Sequence, residues 1–262
     1  MNNISQTTRV ELLKVRRSKM PLLTLIAFSL APLAGGFFMF VLKDPQLAQR
    51  MGVISMKAQI VAGTADWPTY MSLLAQAVAI GGILLFSLIA SWIFGREYAD
   101  HTISDLLALP TPRSAIVLAK FGLVLLWSIL LTAAIILIGL GVGALLDLPQ
   151  ASADMLRQST ITLAVTALLT ILLLTPIAFV ASAGRGYLPP MGAAILLLIL
   201  AQLVAAAGWG EYFPWSIPAL YSGMAGPAYA DIGAASFLIV ALVGLAGLLA
   251  TIAWWELADQ KQ

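Results

Sequence analysis

An all-α membrane protein with six crossing helices is the fold this sequence predicts, and three observations predict it. Hydrophobic residues make up 61% of the 262 positions and charged ones only 10%, whereas a soluble domain carries about 25% charged residues. The mean hydropathy is +0.97. The apolar residues gather in runs that reach the about 20 residues needed to cross about 30 Å of hydrocarbon as helix, and the runs are uniformly apolar, unlike the alternating segments of a barrel.

The runs are Met20 to Leu42, Tyr70 to Phe94, Phe121 to Leu146, Thr160 to Ala183, Leu188 to Ala207 and Ile232 to Trp255. The fifth starts at Pro189-Pro190 and ends at Gly208 and Gly210. The segments outside these runs are too short to build a core, so one membrane domain accounts for 1–262. Within it, 1–19 is expected as a cytosolic interfacial helix, 20–94 as spans one and two, 95–112 as a connecting segment, and 113–262 as spans three to six with a short tail. Basic residues set the orientation. With the amino terminus inside, Arg9, Lys14, Arg16, Arg17, Lys19, Arg96, Arg113, Lys120, Arg185 and Lys261 are internal, and only Lys43, Arg50, Lys57 and Arg157 are external. This positive-inside bias predicts a multi-pass protein of the cell membrane with both termini cytoplasmic.

Ahead of the first run, TTRVELLKVRRSKM places Val10, Leu12 and Leu13 near one another, with Arg9, Lys14, Arg16, Arg17 and Lys19 around them. This composition fits an interfacial helix whose cations meet anionic headgroups, or a basic flank that only orients the first span. The apolar run continues past Ala31-Pro32-Leu33-Ala34, which reads as a retained anchor and not a cleaved signal.

The polar stretch between spans two and three, GREYADHTISDLLALPTPRSAIVLAKF, carries the most specific pattern. Thr102 and Asp105 resemble a capping box, and Ile103, Leu106 and Leu107 form an apolar face. Pro110 stops that helix, and Thr111 with Pro112 starts the next. A short cytosolic helix held at both ends results, to be pushed by a partner or to lie on the lipid surface. Between spans five and six, Pro214, Pro218, Gly223 and Pro227 alternate with Trp209, Tyr212, Phe213, Trp215 and Tyr221, which fits an aromatic belt at the interface.

The polar stretch resembles the intracellular loop of ATP-binding-cassette type-2 permeases. Glu97, Tyr98, Thr102, Leu106, Leu107, Pro110, Arg113, Leu118, Ala119 and Lys120 fit its pattern. His101 stands where Gly is common, a departure that bears on the local backbone. The chain is most similar to small bacterial permeases of bacitracin-resistance and lantibiotic-immunity type. The resemblance implies an exporter subunit working as a homodimer or heterodimer with a second permease, coupled to a separate ATPase that binds ATP and Mg. It also implies a coupling helix between spans two and three, and short outer-leaflet helices between spans five and six that close the exit. Arg96, Glu97, Tyr98, Asp100, His101, Thr102, Asp105, Leu106 and Arg113 are then the expected ATPase contacts. A peptide antibiotic, a lipid, another amphiphile or sodium are compatible substrates.

Other classes are disfavoured by the residues themselves. No G-x-x-x-x-G-K-[ST] occurs, so no phosphate-cradling loop is present and no cofactor is expected on this chain. No charge lies within the six runs, which disfavours an ion-coupled transporter. With one histidine and no cysteine, a membrane-embedded metalloenzyme lacks ligands, and the basic residues at membrane rims do not suit nucleic acid. Gln76 and Gln202 are the large polar residues inside the runs and fit interhelical bonds or the pathway. Pro176 is expected to kink the fourth span, and the glycines Gly81, Gly82, Gly139, Gly141, Gly143, Gly244 and Gly247 to permit close helix contact.

Overall fold

A computed structural model describes residues 3–44, 64–103, 106, 111–224, 226 and 232–257. Among the described residues, six helical stretches are long and apolar enough to cross a membrane: Met20–Lys43, Trp67–Ala99, Arg113–Leu145, Ala153–Ala183, Leu188–Ala206 and Ala234–Leu257. We number the helices α1 (Asn3–Arg16), α2 (Met20–Lys43), α3 (Trp67–Ala99), α4 (Arg113–Leu145), α5 (Ala153–Leu172), α6 (Leu174–Ala183), α7 (Leu188–Ala206), α8 (Ile217–Tyr221) and α9 (Ala234–Leu257). The fourth span is thus the pair α5 and α6.

Two of these helices outrun the bilayer. α3 and α4 each hold 33 residues, about 50 Å at about 1.5 Å per residue, against about 30 Å of hydrocarbon. Their additional turns carry the site. α3 starts where Asp66 accepts from the Thr69 backbone N–H at 2.9 Å, with a Pro in the first turn, and Thr64 donates to the same carboxylate. Ser152 caps α5 in the same way through the Met155 N–H at 3.2 Å. The far ends of α2 and α4 are joined by Lys43, whose Nζ donates to the carbonyls of Leu146 (2.5 Å) and Asp147 (3.0 Å), a cation on a helix C-terminus.

α3 is the central helix and packs against α2, α4, α5, α6 and α7. Its Tyr70, Leu74, Val78, Phe86, Ile89 and Phe94 are fully enclosed. Small residues set the spacing. A Cβ on Gly139 would lie 2.4 Å from Leu74 Cδ1, and one on Gly143 would lie 2.4 Å from Trp67 Cη2. Gly82 touches Phe86 and Thr170, whereas Gly81 and Gly141 face open space. Leucines on α7 and α9, among them Leu196, Leu203, Leu242 and Leu249, point outward, which costs nothing against lipid tails.

The expected kink falls at Leu173, between α5 and α6. Pro176 has no N–H to offer, and Thr175 Oγ1 donates instead to Leu172 O at 3.2 Å and across to Gly244 O at 2.5 Å. α9 comes so close here that a Cβ on Gly247 would sit 2.4 Å from the Pro176 nitrogen. Between α7 and α9 the chain makes two 3-10 turns, Gly210–Tyr212 and Pro214–Ser216, followed by α8. Ser216 Oγ donates to Gly210 O (2.6 Å) and Ser236 Oγ to Glu211 O (2.9 Å), which folds this short unit onto α9, while Trp209 and Tyr212 stay exposed.

Candidate functional site

Four ionised side chains meet where α1 crosses the ends of α3 and α4. Lys120, fully buried, donates from Nζ to Ile93 O (2.7 Å), Glu97 Oε1 (2.8 Å) and Glu11 Oε2 (3.4 Å). Lys14 Nζ closes the set on Glu11 Oε1 (2.6 Å) and Glu97 Oε1 (3.1 Å). The Phe94 ring lies 5.9 Å below the Lys120 ammonium, within cation–π range. Two cations and two anions leave no net charge, the condition under which ionised groups tolerate burial. Burial works against the charge on Lys14, but the Glu11 and Glu97 carboxylates outweigh it and raise its pKa above the ordinary lysine value. Glu97 Oε2 is buried and has no hydrogen-bond partner among the described residues.

The local fold explains how these groups converge. α1 turns Glu11 and Val15 inward and leaves Val10 (52% exposed), Leu12 and Leu13 outward, so its ionic partners and not its apolar residues choose the face. α3 ends one turn past Glu97 in a left-handed cap. The N–H of Thr102 donates to Glu97 O (2.9 Å) and that of His101 to Tyr98 O (3.3 Å), with His101 at φ 56°. This is the Schellman arrangement, whose left-handed position usually holds Gly. His101 takes that backbone as it stands, which answers the question its presence raised.

The expected partner contacts divide into two sets. Asp100, His101 and Thr102 are exposed at the turn. Arg96 is half-buried, pairs through Nε with Asp100 Oδ2 (3.1 Å) and lies 5.1 Å over the Trp92 ring. Leu106 is half-buried and Ile103 fully enclosed. Glu97, 3% exposed, is turned away from the surface that a partner would touch. Tyr98 is buried against Trp255, ring centres 6.4 Å apart. Arg113 donates from Nη1 to Trp255 O (3.0 Å) and so caps the end of α9. Asp105, Leu107 and Pro110 lie outside the described residues. α3 runs through Ala99 and α4 opens at Arg113 with Pro112 just ahead of it, so the connecting segment between the helices is shorter than 95–112.

Of the expected lipid-facing cations, Arg9, Arg16, Arg17 and Lys19 are exposed, while Lys14 belongs to the buried cluster. Gln76 donates to Ser72 Oγ on its own helix (3.1 Å) and lines a groove between α2 and α3. Gln202, exposed on α7, lines a different groove against α8; the two are not brought together. Glu11 and the ionic role of Lys120 escaped the sequence reading. Glu11 is the one acid in its basic stretch, and Lys120 opens a charge-free run, where an unpaired ammonium is costly; those were the available signals.

Six candidate spans and a charge-neutral cluster at the turn between spans two and three define a multi-pass membrane protein. The family model described as "ABC-2 family transporter protein" matches residues 7–201, and the chain belongs to that family. It is therefore a permease, a membrane subunit of a transporter class whose permeases pair with ATPase subunits. It is 29% identical over 183 residues, 70% of this chain and 87% of the relative, to the bacitracin transport permease protein BCRB of Bacillus licheniformis.

Proposed function

We propose that the chain is the permease of an ATP-driven exporter that moves a peptide antibiotic of the bacitracin kind or a similar amphiphile, with hydrolysis on a partner ATPase. The observation that carries this reading is the buried cluster beneath an exposed turn. A push on Asp100, His101 and Thr102 acts on the last turn of α3, and Glu97 in that turn is bonded to both α4 and α1. Motion of the turn is then passed to two membrane-crossing helices and to the amino-terminal helix together. In this reading Glu97 transmits force and Asp100, His101 and Thr102 receive it.

The basic asymmetry supports a cytoplasmic placement of this turn and of both termini. The outward Val10, Leu12 and Leu13 of α1, flanked by Arg9, Arg16, Arg17 and Lys19, support its lying along the membrane surface. The apolar outer faces of the spans and the small-residue groove around Gly81 suit pairing with a second permease. The similarity to a bacitracin transport permease supports bacitracin as the first substrate to try. The short turns between α7 and α9 fit an exit closure in the outer leaflet. The whole chain then acts as one permease domain.

The test is to replace Asp100 by Arg and Thr102 by Trp together, and to measure ATPase co-purification and bacitracin resistance at matched membrane levels. Loss of both readouts is expected, because exposed substitutions disturb a docking face without disturbing the fold. Retention of normal association and resistance would refute the turn as the receiving surface.

A further inference from the structure

We propose that a groove bounded by α1, the last turns of α3 and the turn before α7 binds the phosphodiester headgroup of an anionic phospholipid. The groove encloses about 610 Å³, which is the size of small-molecule sites in general. Its walls combine Lys14, Arg17 and Arg96 and one carboxylate, Asp100, with Trp92 and Tyr187, and its α1 edge carries the exposed apolar Val10 and Leu13. Cations beside an aromatic pair with an apolar rim form the surface that a headgroup and the upper part of its acyl chains require.

The charges there are not balanced. Lys14 is neutralised within the cluster by Glu11 and Glu97, and Arg96 shares its charge with Asp100. Arg17, exposed on the groove wall, makes no ion pair among the described residues. The Arg96 guanidinium is held in place by its Nε bond to Asp100 and its seat over Trp92, yet its Nη1 is shielded from water and has no hydrogen-bond partner among the described residues. A phosphate in the groove meets Arg96 through the part of its side chain that stays exposed, 31%, and a guanidinium is the planar charged donor that phosphate recognition favours. Tyr187 adds a neutral O–H donor, because burial and then Asp100 raise the pKa of its phenol.

The proposal rests on α1 lying at the membrane surface and is independent of the coupling reading, so the two fail separately. The full chain is reconstituted in nanodiscs of mixed phosphatidylglycerol and phosphatidylcholine, and retained lipid is read by native mass spectrometry after release. Selective retention of phosphatidylglycerol is expected. Arg96→Gln and Arg17→Gln each reduce that retention about tenfold, while Arg157→Gln, an exposed cation of α5 outside the groove, leaves it unchanged. Circular dichroism checks folding, and the exposed Arg17→Gln keeps the test decisive if Arg96→Gln misfolds. Equal retention of both lipids, equal loss in Arg157→Gln, or unchanged retention in Arg17→Gln overturns the site. Displacement of phosphatidylglycerol by added inorganic phosphate assigns the groove to a free phosphate and overturns the lipid.

Discussion

Removing the Lys120 ammonium is the sharpest perturbation of the cluster. In Lys120→Met the side chain keeps its length, but Glu97 loses its 2.8 Å partner, Ile93 O loses its donor at 2.7 Å, and Glu11 loses its second cation. Glu97 is then left with Lys14 alone, and its Oε2 already has no partner among the described residues. An uncompensated buried charge of this kind costs about 3 to 5 kcal/mol. Glu97→Met strands Lys120 on the longer 3.4 Å contact to Glu11 and is expected to cost a similar amount. The double variant removes both charges and fills the space with apolar atoms, so its loss falls short of the sum of the singles by about 2 kcal/mol. Unfolding in mixed micelles measures all four proteins. A loss under about 0.5 kcal/mol for Lys120→Met, or simple additivity of the two, refutes the cluster as a coupled unit. The pH dependence has a definite sign. Lys14 has its pKa raised above 10.5, so the stability it contributes is fully present below that value and is lost only as pH rises through the folded pKa.

Two further outcomes are expected. His101→Gly relieves a left-handed position at φ 56° and raises stability by up to about 1 kcal/mol, whereas His101→Val, β-branched in the same backbone, lowers it by about 1 to 2 kcal/mol; a thermal shift of the opposite order for the pair removes the Schellman assignment. Gly247→Ala places a Cβ 2.4 Å from the Pro176 nitrogen and 2.6 Å from Thr175 C, both backbone atoms that cannot swing aside, and lowers stability by about 1 to 3 kcal/mol. Gly141→Ala, which meets nothing within 4 Å, is the matched control, and equal behaviour of the two argues against close packing at the kink.

The six spans were legible because an uncharged run of membrane length has few other uses. Their ends were less so. A reading by hydropathy stops at the first charge, and Arg96 and Glu97 lie in α3 beyond that point because one finds Asp100 and the other finds Lys120 and Lys14. The family pattern located the turn, but Glu97 in it reads as a surface acid until its partners are known. Those partners lie 23 and 83 residues away, a separation to which local periodicity is blind. The amino-terminal helix shows the same limit. Its apolar Val10, Leu12 and Leu13 are outward in the structure, and the inward side carries Glu11 and Val15. His101 was readable as an anomaly and became interpretable only with its φ angle. Pro176, Thr175 and the Gly244 and Gly247 pair were all visible, since prolines and glycines act on the backbone directly.

The break at Leu173 divides the fourth span into two rods with different attachments. α5 packs on α3, α8, α9 and α4, while α6 packs on α9, α3 and α7. Between them one carbonyl, Leu172 O, has exchanged its main-chain donor for the Thr175 hydroxyl, which is shared with Gly244 O. A hydroxyl rotates about a single bond, so the angle between the rods can change while both acceptors keep a donor within reach. One side chain therefore bridges the break, with α9 packed against both halves. In lipid an unpaired carbonyl costs several kcal/mol, and the Thr175 hydroxyl lets the fourth span break ahead of Pro176 without stranding Leu172 O.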